Sequence, residues 1–242
     1  MKYTVLTLFP NMFKGFMDES IIKRAIEAKL INIDLVDFRA YSTNKHHTVD
    51  DYAYAGGAGM LISVEPVHRA LIGVEGYRQA HKVLMSPSGT PLTQKKVKEL
   101  ASYKHLIIIC GHYEGFDERL TNYVDEEISI GDYILMGGEI PTMALIEATS
   151  RLVDGVINSD STKEESFSEG LLEYPQYTRP ASYDGIDVPE VLQNGDHKKI
   201  NEWRRYEALK KTYQRRPELL KEAHLSLKDY QMLEEIKHEK NN

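Results

Sequence analysis

The chain of 242 residues has one cysteine, Cys110, and no long hydrophobic run. A single cysteine excludes an internal disulfide and is typical of proteins of the reducing cytoplasm. No stretch approaches the ~18 consecutive apolar residues that a membrane-spanning helix needs. The N-terminal stretch lacks a small-residue cleavage site, which favours a first strand over a signal peptide. We therefore expect a cytoplasmic protein without membrane association.

Common nucleotide and metal motifs are also scarce. No G-x-G-x-x-G follows the first apolar run and no G-x-x-x-x-G-K-[ST] occurs, which disfavours dinucleotide and P-loop binding. His46, His47, Asp50 and Asp51 share one loop, but no second His/Cys cluster accompanies them, so we predict no metal site. Cys110 ends an apolar run without an adjacent base, which favours a buried structural cysteine over a nucleophile.

The charge is unevenly distributed. The net charge is −7, which by itself argues against nucleic-acid binding. Residues 197–221, however, carry nine Lys/Arg and three Asp/Glu, a local net charge of +6. A concentrated basic segment on an acidic body can bind a polyanion through its own field. The alternative is a solvated helix with paired charges, and composition leaves both open.

The alternation of apolar patterns predicts an α/β domain with a mostly parallel sheet. Apolar runs and period-two patterns predict strands over residues 2–9, 31–35, 83–85, 106–110 and 127–130. Helical spacing predicts helices over residues 11–30 and 93–103. A third helix is predicted from Pro141, with one face formed by Ala144, Leu145, Ala148 and Leu152. Beyond residue 170, two or three helical segments reach the C-terminus.

Three polar loops follow predicted strands, at residues 86–91, 111–116 and 131–141. In open α/β sheets, ligands bind beyond the carboxyl ends of the strands, where these loops would meet. Glycine is dense in two of them, at Gly111, Gly115, Gly131, Gly137 and Gly138. Such density marks sharp turns or close approach of a ligand to the main chain. We predict one pocket, lined largely by backbone.

Residues 158–170 are polar, acidic and serine-rich, which predicts a linker and a domain boundary near residue 160. Its carboxylates, Glu164, Glu165 and Glu169, suit either a solvated loop or a general base on a segment that orders with substrate. Arg151 just precedes the linker. It suits either a helix-end cation or a group that stabilises developing negative charge.

Seven blocks resemble, in order, those of the bacterial tRNA (guanine-N1)-methyltransferases of the SPOUT superfamily. They are LTLFPNMF, HTVDDYAYAGGAGM, SPSGTPL, CGHYEGFDER, EISIGDYILMGGEIP, SFSEGLLEYPQYTRP and WRRYEALKKTYQRRPELL. The resemblance implies a SPOUT-type α/β sheet with a deep trefoil knot and a small helical C-terminal domain. It implies a knotted domain over residues 1–157, a flexible linker over 158–172 and a tRNA-binding domain over 173–242.

The resemblance further implies a homodimer, with active sites shared between subunits, that uses S-adenosyl-L-methionine as methyl donor. Contacts to this donor are carried over to Leu84, Ser86, Pro87, Gly111, Tyr113, Glu114, Gly115, Ile130, Gly131, Asp132, Tyr133, Ile134, Leu135, Gly137, Gly138 and Pro141. Family members also use Mg²⁺, for which the sequence indicates no site.

The implied reaction is methylation of N1 of the guanosine directly 3′ of the anticodon, position 37 of tRNA. This nitrogen carries a proton, so the reaction needs a base near N1 and a cation or donor near O6. The family assigns these roles to positions matched by Glu165 and Arg151, with Glu164 as an alternative base. Contacts to RNA are expected at Asp50, Gly57, Gly59, Ser166, Arg179, Lys199, Arg204 and Arg205.

The chain departs from the usual family pattern at three places. Glu165 replaces an aspartate, His112 replaces an arginine, and Ala55 and Ala58 alter a glycine- and proline-rich turn. Each departure leaves the groups that the reaction needs in place. Two alternatives stay open: another SPOUT RNA methylation, on a ribose 2′-OH or another base, and a non-catalytic RNA-binding module.

Overall fold

The computed structural model describes residues 1–57, 59–158, 165–167 and 170–239. The chain divides into two compact units, Met1–Ile157 and Asn158–Asn242. In the described part of the chain, no helix is both long and apolar enough to cross a membrane.

The first unit is built on a five-stranded sheet in which every pairing is parallel. Its strands in chain order are β1 (Lys2–Thr7), β2 (Asn32–Asp37), β5 (His81–Pro91), β6 (His105–Ile109) and β7 (Glu126–Ser129). A separate antiparallel pair is formed by β3 (Asp50–Asp51) and β4 (Leu61–Ile62). The sheet order is β2-β1-β6-β5-β7. The predicted α/β class, parallel sheet and five strands are confirmed; the trefoil knot stays a prediction.

Both faces of the sheet are covered, as the continuous apolar runs predicted. Side chains alternate between two buried clusters: Ile108 of β6 lies in one, whereas Ile107 and Ile109 lie in the other. The same alternation holds in β5, where Val83 and Leu84 belong to opposite clusters. The sheet is therefore a rigid support for the loops at its carboxyl ends.

Helices flank the strands of the first unit. They are α1 (Lys14–Asp18), α2 (Ser20–Glu27), α3 (Val64–Gly73), α4 (Gln94–Leu100) and α5 (Glu139–Ser150). The single helix predicted over residues 11–30 is wrong, because Glu19 is extended between α1 and α2. This break lets Phe13 before α1 and Ile22 and Ala25 of α2 enter the same apolar cluster.

The predicted buried face of α5 is also partly wrong. Leu145 is fully buried, but Ala144 is exposed, and the buried side continues through Ile146 and Thr149. The helix begins two residues before Pro141, within the first turn, where a missing N–H costs no hydrogen bond. α5 packs on the sheet with a mixed apolar and hydroxyl surface, which a hydrophobic pattern alone does not reveal.

The described part of the second unit contains a hairpin, two α-helices and two short 3-10 helices, Glu190–Leu192 and Pro217–Lys221. Its strands and α-helices are β8 (Ser182–Tyr183), β9 (Ile186–Asp187), α6 (His197–Arg215) and α7 (Leu227–Glu239). Four apolar side chains form its buried core: Leu171, Leu209, Leu233 and Ile236. The predicted C-terminal helical segments are confirmed. Leu171, within the predicted linker, already belongs to this core, and the Leu172 N–H donates to Thr212 Oγ1 at 2.9 Å.

Candidate active site

A cavity of about 370 Å³ lies at the carboxyl ends of β5, β6 and β7. Strands β6 and β7 lie on opposite sides of β5, so successive connections lead to opposite sides of this strand. Open α/β sheets bind ligands at such a reversal of the strand order. The cavity is lined by Met85, Ser86, Pro87, Gly111, His112, Tyr113, Glu114, Gly115, Ile128, Ser129, Ile130, Gly131, Tyr133, Ile134, Leu135, Met136, Gly137, Gly138 and Pro141.

One wall of the cavity is an outward excursion of β5. Its pairing with β7 shifts between Met85 and Thr90, both of which align with Ile128, so residues 86–89 leave the ladder. Gly89 makes the return possible, because a Cβ there would lie 2.4 Å from the main-chain nitrogen of Ile128. Ser86 and Pro87 are thereby displaced into the cavity wall.

The opposite wall is formed by main chain from two loops in direct contact. The Gly138 N–H donates to the Gly111 carbonyl at 2.7 Å, and His112 bridges Gly137 in an antiparallel sense. A Cβ on Gly138 would lie 2.7 Å from the Gly111 nitrogen. This backbone-to-backbone contact explains the glycines at this wall. The predicted meeting of the two glycine loops is confirmed.

A buried polar cluster lies behind this wall. Glu139 is 1 % exposed, and its Oε1 accepts a 2.8 Å hydrogen bond from the Thr7 hydroxyl. The His112 Nδ1 lies 3.9 Å from Glu139 Oε2. Cys110 Sγ is 3.1 Å from Thr142 Oγ1, and burial raises the pKa of its thiol. The cysteine is therefore held as a neutral thiol, consistent with the predicted structural role.

The predicted methyl-donor contacts fall into two groups. Fourteen line the cavity, whereas Leu84 is buried in the strand beneath it and Asp132, in the loop after β7, lies outside the lining. Lining residues that were not among the predicted methyl-donor contacts are Met85, His112, Ile128, Ser129 and Met136. Glycine density pointed to the loops, but it could not indicate which apolar strand ends face the cavity.

The predicted RNA contacts of the first unit lie on a loop beside the cavity. Asp50 pairs with Ile62 between β3 and β4, and Gly57 and Gly59 are exposed in the connecting loop. The Glu114 N–H donates to the Met60 carbonyl at 3.2 Å, which joins this loop to the cavity wall. The loop therefore lies beside the cavity wall, within the same unit.

The predicted RNA contacts of the second unit differ in their surroundings. Arg179 and Lys199 are exposed, and Arg204 stacks on Tyr174 at 4.9 Å. Arg205 instead forms a bidentate pair with the buried Asp229, at 2.8 and 3.0 Å. Hydrogen bonds from Arg205 lower the pKa of Asp229 to about 2, against the opposing effect of burial. Arg205 thus holds α6 to α7, and a phosphate contact by it stays a prediction.

The two predicted catalytic residues lie in different units. Arg151 is half-buried directly after α5, where its main-chain N–H donates to the Glu147 carbonyl at 3.2 Å. Glu165 is half-buried on a short segment of the second unit. The alternative base, Glu164, lies outside the described residues, as do Ala58 and Glu169.

Hydrogen bonds from the sheet hold the helix end that directly precedes Arg151. The buried Tyr3 hydroxyl of β1 lies 2.9 Å from Thr149 Oγ1 and 3.0 Å from Ser150 Oγ. Burial raises the pKa of Tyr3, so this hydroxyl stays neutral. Among the residues that the structure describes, no group of three or more His, Cys, Asp or Glu is arranged to hold a metal ion.

Sequence comparisons agree with this architecture. A model of the family described as tRNA (Guanine-1)-methyltransferase TrmD matches residues 1–222. A tRNA (guanine-N(1)-)-methyltransferase of Bacillus cereus strain B4264 is 51 % identical over 243 residues, covering 99 % of this chain and all of the relative. One from Bacillus anthracis strain CDC 684 is 50 % identical over 241 residues, covering 98 % of this chain and 99 % of the relative. The chain therefore belongs to the tRNA (guanine-1)-methyltransferase family, a family of SPOUT enzymes.

Proposed function

We propose that the protein transfers a methyl group from S-adenosyl-L-methionine to N1 of a guanosine in tRNA, at position 37 beside the anticodon. The main observation in support is the cavity at the carboxyl ends of β5, β6 and β7, which is lined by main chain. Relatives that match this chain over its full length are named for this reaction. We place the reaction in the cytoplasm. A requirement for Mg²⁺ is part of the proposal without an assigned site.

The cavity fits a nucleoside-containing methyl donor. Its volume lies within the ~300–1,000 Å³ range of small-molecule sites. The walls offer main-chain N–H and C=O groups from both glycine loops, which suit the edge of a purine, and the Glu114 carboxylate suits an ammonium group. S-adenosyl-L-methionine bound here supplies an electrophilic methyl group on a positively charged sulfur.

We assign proton removal from guanine N1 to Glu165. Its segment is fixed locally: the Phe167 N–H donates to the Leu171 carbonyl at 2.7 Å, and the Glu173 N–H donates to Ser166 Oγ at 3.0 Å. A carboxylate on an ordered turn can approach a proton in a defined direction, which general-base catalysis needs. In the proposed dimer this base reaches the cavity of the partner subunit.

We assign stabilisation of negative charge on guanine O6 to Arg151. Its always-charged guanidinium suits an oxygen that gains charge as N1 loses its proton. The hydrogen bonds of Tyr3 to Thr149 and Ser150 fix the helix end from which Arg151 projects. Fixing this end favours a cation that is already oriented before the substrate arrives.

A homodimer is supported by exposed apolar side chains, two of which, Ile134 and Met136, also line the cavity. Ile134 is 80 % exposed, Met136 91 % and Ile140 56 %. Large apolar side chains clustered on one rim mark an interaction surface. We propose that a second copy of the chain covers them and supplies its Glu165. In the second unit, Arg179, Lys199 and Arg204 are assigned to the tRNA backbone.

The test is methylation of an unmodified tRNA transcript with a labelled methyl donor, followed by mapping of the modified nucleotide. We expect N1-methylguanosine at position 37. Glu165→Gln should lower turnover about 10²- to 10⁴-fold, the usual contribution of a general base, with unchanged methyl-donor affinity. The control is Glu190→Gln, which alters an exposed glutamate of the same unit.

Three results would contradict the proposal. A methyl group on a ribose 2′-oxygen or another base would identify a different RNA methylation. Binding of tRNA without binding of the methyl donor by calorimetry would indicate a non-catalytic module. Wild-type turnover by Glu165→Gln would exclude Glu165 as the base and leave Glu164→Gln as the next variant to measure.

A further inference from the structure

Helix α6 holds the chain segment that follows Glu165 through a buried hydroxyl. Thr212 of α6 is fully buried, and its Oγ1 accepts a hydrogen bond from the Leu172 N–H at 2.9 Å. The same hydroxyl donates to the Ala208 carbonyl at 2.7 Å. A hydroxyl has one hydrogen to donate and lone pairs to accept, so both bonds form together and fix its direction. The main chain at Leu172 is therefore held at a defined point on the helix.

The neighbouring lysine of α6 makes a second contact with this segment. Lys211 donates from Nζ to the Glu173 carbonyl at 3.0 Å. The Glu173 N–H in turn donates to Ser166 Oγ at 3.0 Å. Ser166 directly follows Glu165 in the chain. Two adjacent residues of one helix, Lys211 and Thr212, thus hold the main chain that supports the proposed base.

Apolar packing holds the same segment against the core of the second unit. Leu171 is 5 % exposed and belongs to this core. A Cβ on Gly170 would lie 3.1 Å from the Cα of Ala223, so the main chain packs closely there as well. Apolar burial has no preferred direction, whereas a hydrogen bond does. The orientation of the segment therefore depends on the hydrogen bonds from Thr212 and Lys211.

We propose that Thr212 and Lys211 are positioning residues for proton removal from guanine N1. They orient the segment that carries Glu165, so that its carboxylate approaches the proton in a defined direction. A misplacement of about 1 Å can lower a rate about 10²-fold. The proposal rests on the proposed function, since it takes Glu165 as the base. Because α6 also carries Lys199 and Arg204, the helix assigned to tRNA binding also orients the base.

Methyl transfer in a single turnover, with the full chain at saturating tRNA and methyl donor, tests the proposal. Thr212→Val has a similar shape without the hydroxyl and should lower the rate about 10- to 100-fold. Thr212→Ser keeps the hydroxyl and should retain most of the wild-type rate. Lys211→Met should lower the rate about 2- to 10-fold, the usual net contribution of one hydrogen bond. The affinities for tRNA and methyl donor should be unchanged in all three variants.

A double-mutant cycle with Glu165→Gln shows whether Thr212 acts through Glu165. Orientation matters only while a base is present, so Thr212→Val should cause no further loss in a Glu165→Gln protein. A general weakening of the second unit would lower the rate by the same factor in both backgrounds, and that result overturns the proposal. The fluorescence of Trp203 in α6 reports whether each variant is folded. If Thr212→Val does not fold, Lys211→Met replaces it in the cycle, because Lys211 is only half-buried.

Two matched controls remove similar groups at other positions. Lys210→Met removes the adjacent lysine of α6, whose Nζ donates to Glu239 Oε2 at 2.8 Å. Thr4→Val removes a buried hydroxyl of the first unit, whose Oγ1 lies 2.9 Å from His105 Nε2. Both should keep the wild-type rate at saturating substrates. Equal losses in Lys210→Met and Lys211→Met would indicate an effect of helix charge and overturn the assignment of Lys211.

The outcomes also separate this proposal from the proposed function. If Glu165→Gln lowers the rate but Thr212→Val and Lys211→Met do not, the positioning roles are wrong and the base assignment stands. A fall in tRNA affinity in Lys211→Met, with an unchanged rate at saturation, shows a contact with RNA and likewise overturns its positioning role. If Glu165→Gln keeps the wild-type rate, both the base assignment and the positioning roles are wrong.

Discussion

The two units of the chain are stabilised in different ways. The first unit buries apolar layers on both faces of a parallel sheet. In its described residues, the second unit buries five apolar side chains, Leu171, Ala208, Leu209, Leu233 and Ile236, and has an ion pair between the half-buried Arg205 and the buried Asp229. Apolar burial responds little to pH or salt, whereas ion pairs respond to both. The first unit also has ion pairs, such as Lys96–Glu126, but the large lowering of a carboxyl pKa, to about 2, is at Asp229 of the second unit, so acid should unfold the second unit before the first.

The same difference applies to the proposed binding residues. The cavity of the first unit is lined by main chain that other main chain holds in place, as at Gly138 and Gly111. The second unit carries its candidate RNA contacts on charged side chains such as Lys199, which is exposed. Substitutions in the cavity should therefore act through steric overlap, and those in the second unit through charge.

Among the substitutions that test this difference between the units, Gly138→Ala should have the largest effect on methyl-donor affinity. The new Cβ would lie 2.7 Å from the Gly111 nitrogen and 2.9 Å from the Cys110 Cα, both main-chain atoms that cannot easily move. Such overpacking typically costs ~1–3 kcal/mol of free energy. If this cost falls on the bound state, methyl-donor affinity should drop about 5- to 150-fold in a calorimetric titration.

Gly15→Ala is the matched control, because a Cβ on this helical glycine of α1 meets nothing within 4 Å. It should leave methyl-donor affinity unchanged and slightly increase stability, as alanine favours helix. If a folded Gly138→Ala protein binds the methyl donor with wild-type affinity, the main chain of the cavity wall can move to accept the Cβ. Substitutions in the cavity would then not act through steric overlap, and the proposed difference between the two units would not hold.

A smaller effect is expected from acid titration of the Arg205–Asp229 pair. The folded pKa of Asp229 is about 2, below that of an unfolded aspartate, so its ionised form stabilises the fold. This contribution, ~2 kcal/mol, is complete above the unfolded pKa and is lost as pH falls from about 4 to about 2. Trp203, the only tryptophan, lies in α6 and reports unfolding of the second unit by fluorescence.

The Asp229→Asn variant isolates this contribution. It should be less stable at neutral pH and should lack the part of the acid dependence that Asp229 supplies. Lys228→Met is the control, because Lys228 pairs with Glu202 at the surface, where ion pairs contribute little. If Asp229→Asn retains the full acid dependence of the wild type, the ion pair is not what makes the second unit sensitive to pH.

Much of the first unit could be predicted because its strands are continuous apolar runs. Residues 106–109 are apolar without interruption, and the parallel sheet buries them on both faces. The break at Glu19 was not predicted because apolar spacing continues across it, although Gly15, Asp18 and Ser20 are weak helix formers. Helix α3 was missed although Val67, Ala70 and Leu71 follow helical spacing.

The hairpin of the second unit was also missed, although the sequence contains a signal for it. Asp184 and Gly185 connect β8 to β9, both with positive φ, at +50° and +76°. An Asp-Gly pair between short strands is a strong hairpin signal. The flanking strands have only two residues each, so no alternating pattern supported it.

At the candidate site, the glycine loops could be predicted but their supporting contacts could not. Glycine is visible in a sequence wherever backbone must approach backbone. The hydrogen bond from Thr7 to Glu139 joins residues far apart in the chain. Such pairs arise from the order of strands in the sheet, which local patterns do not specify.

The smallest effect is expected for Cys110. At urea concentrations that unfold the second unit, a thiol reagent should label Cys110 to an extent close to zero. Cys110 is 1 % exposed, and burial raises the pKa of its thiol, so the reactive thiolate is suppressed while the first unit is folded. The fluorescence of Trp203 should change before Cys110 reacts. A thiol introduced by Met12→Cys, at a position 48 % exposed, should react at once in the native protein and shows that the reagent is active. Labelling of Cys110 in step with the fluorescence change would mean that the two units unfold together, and that the sheet of the first unit is no more robust than the helices of the second.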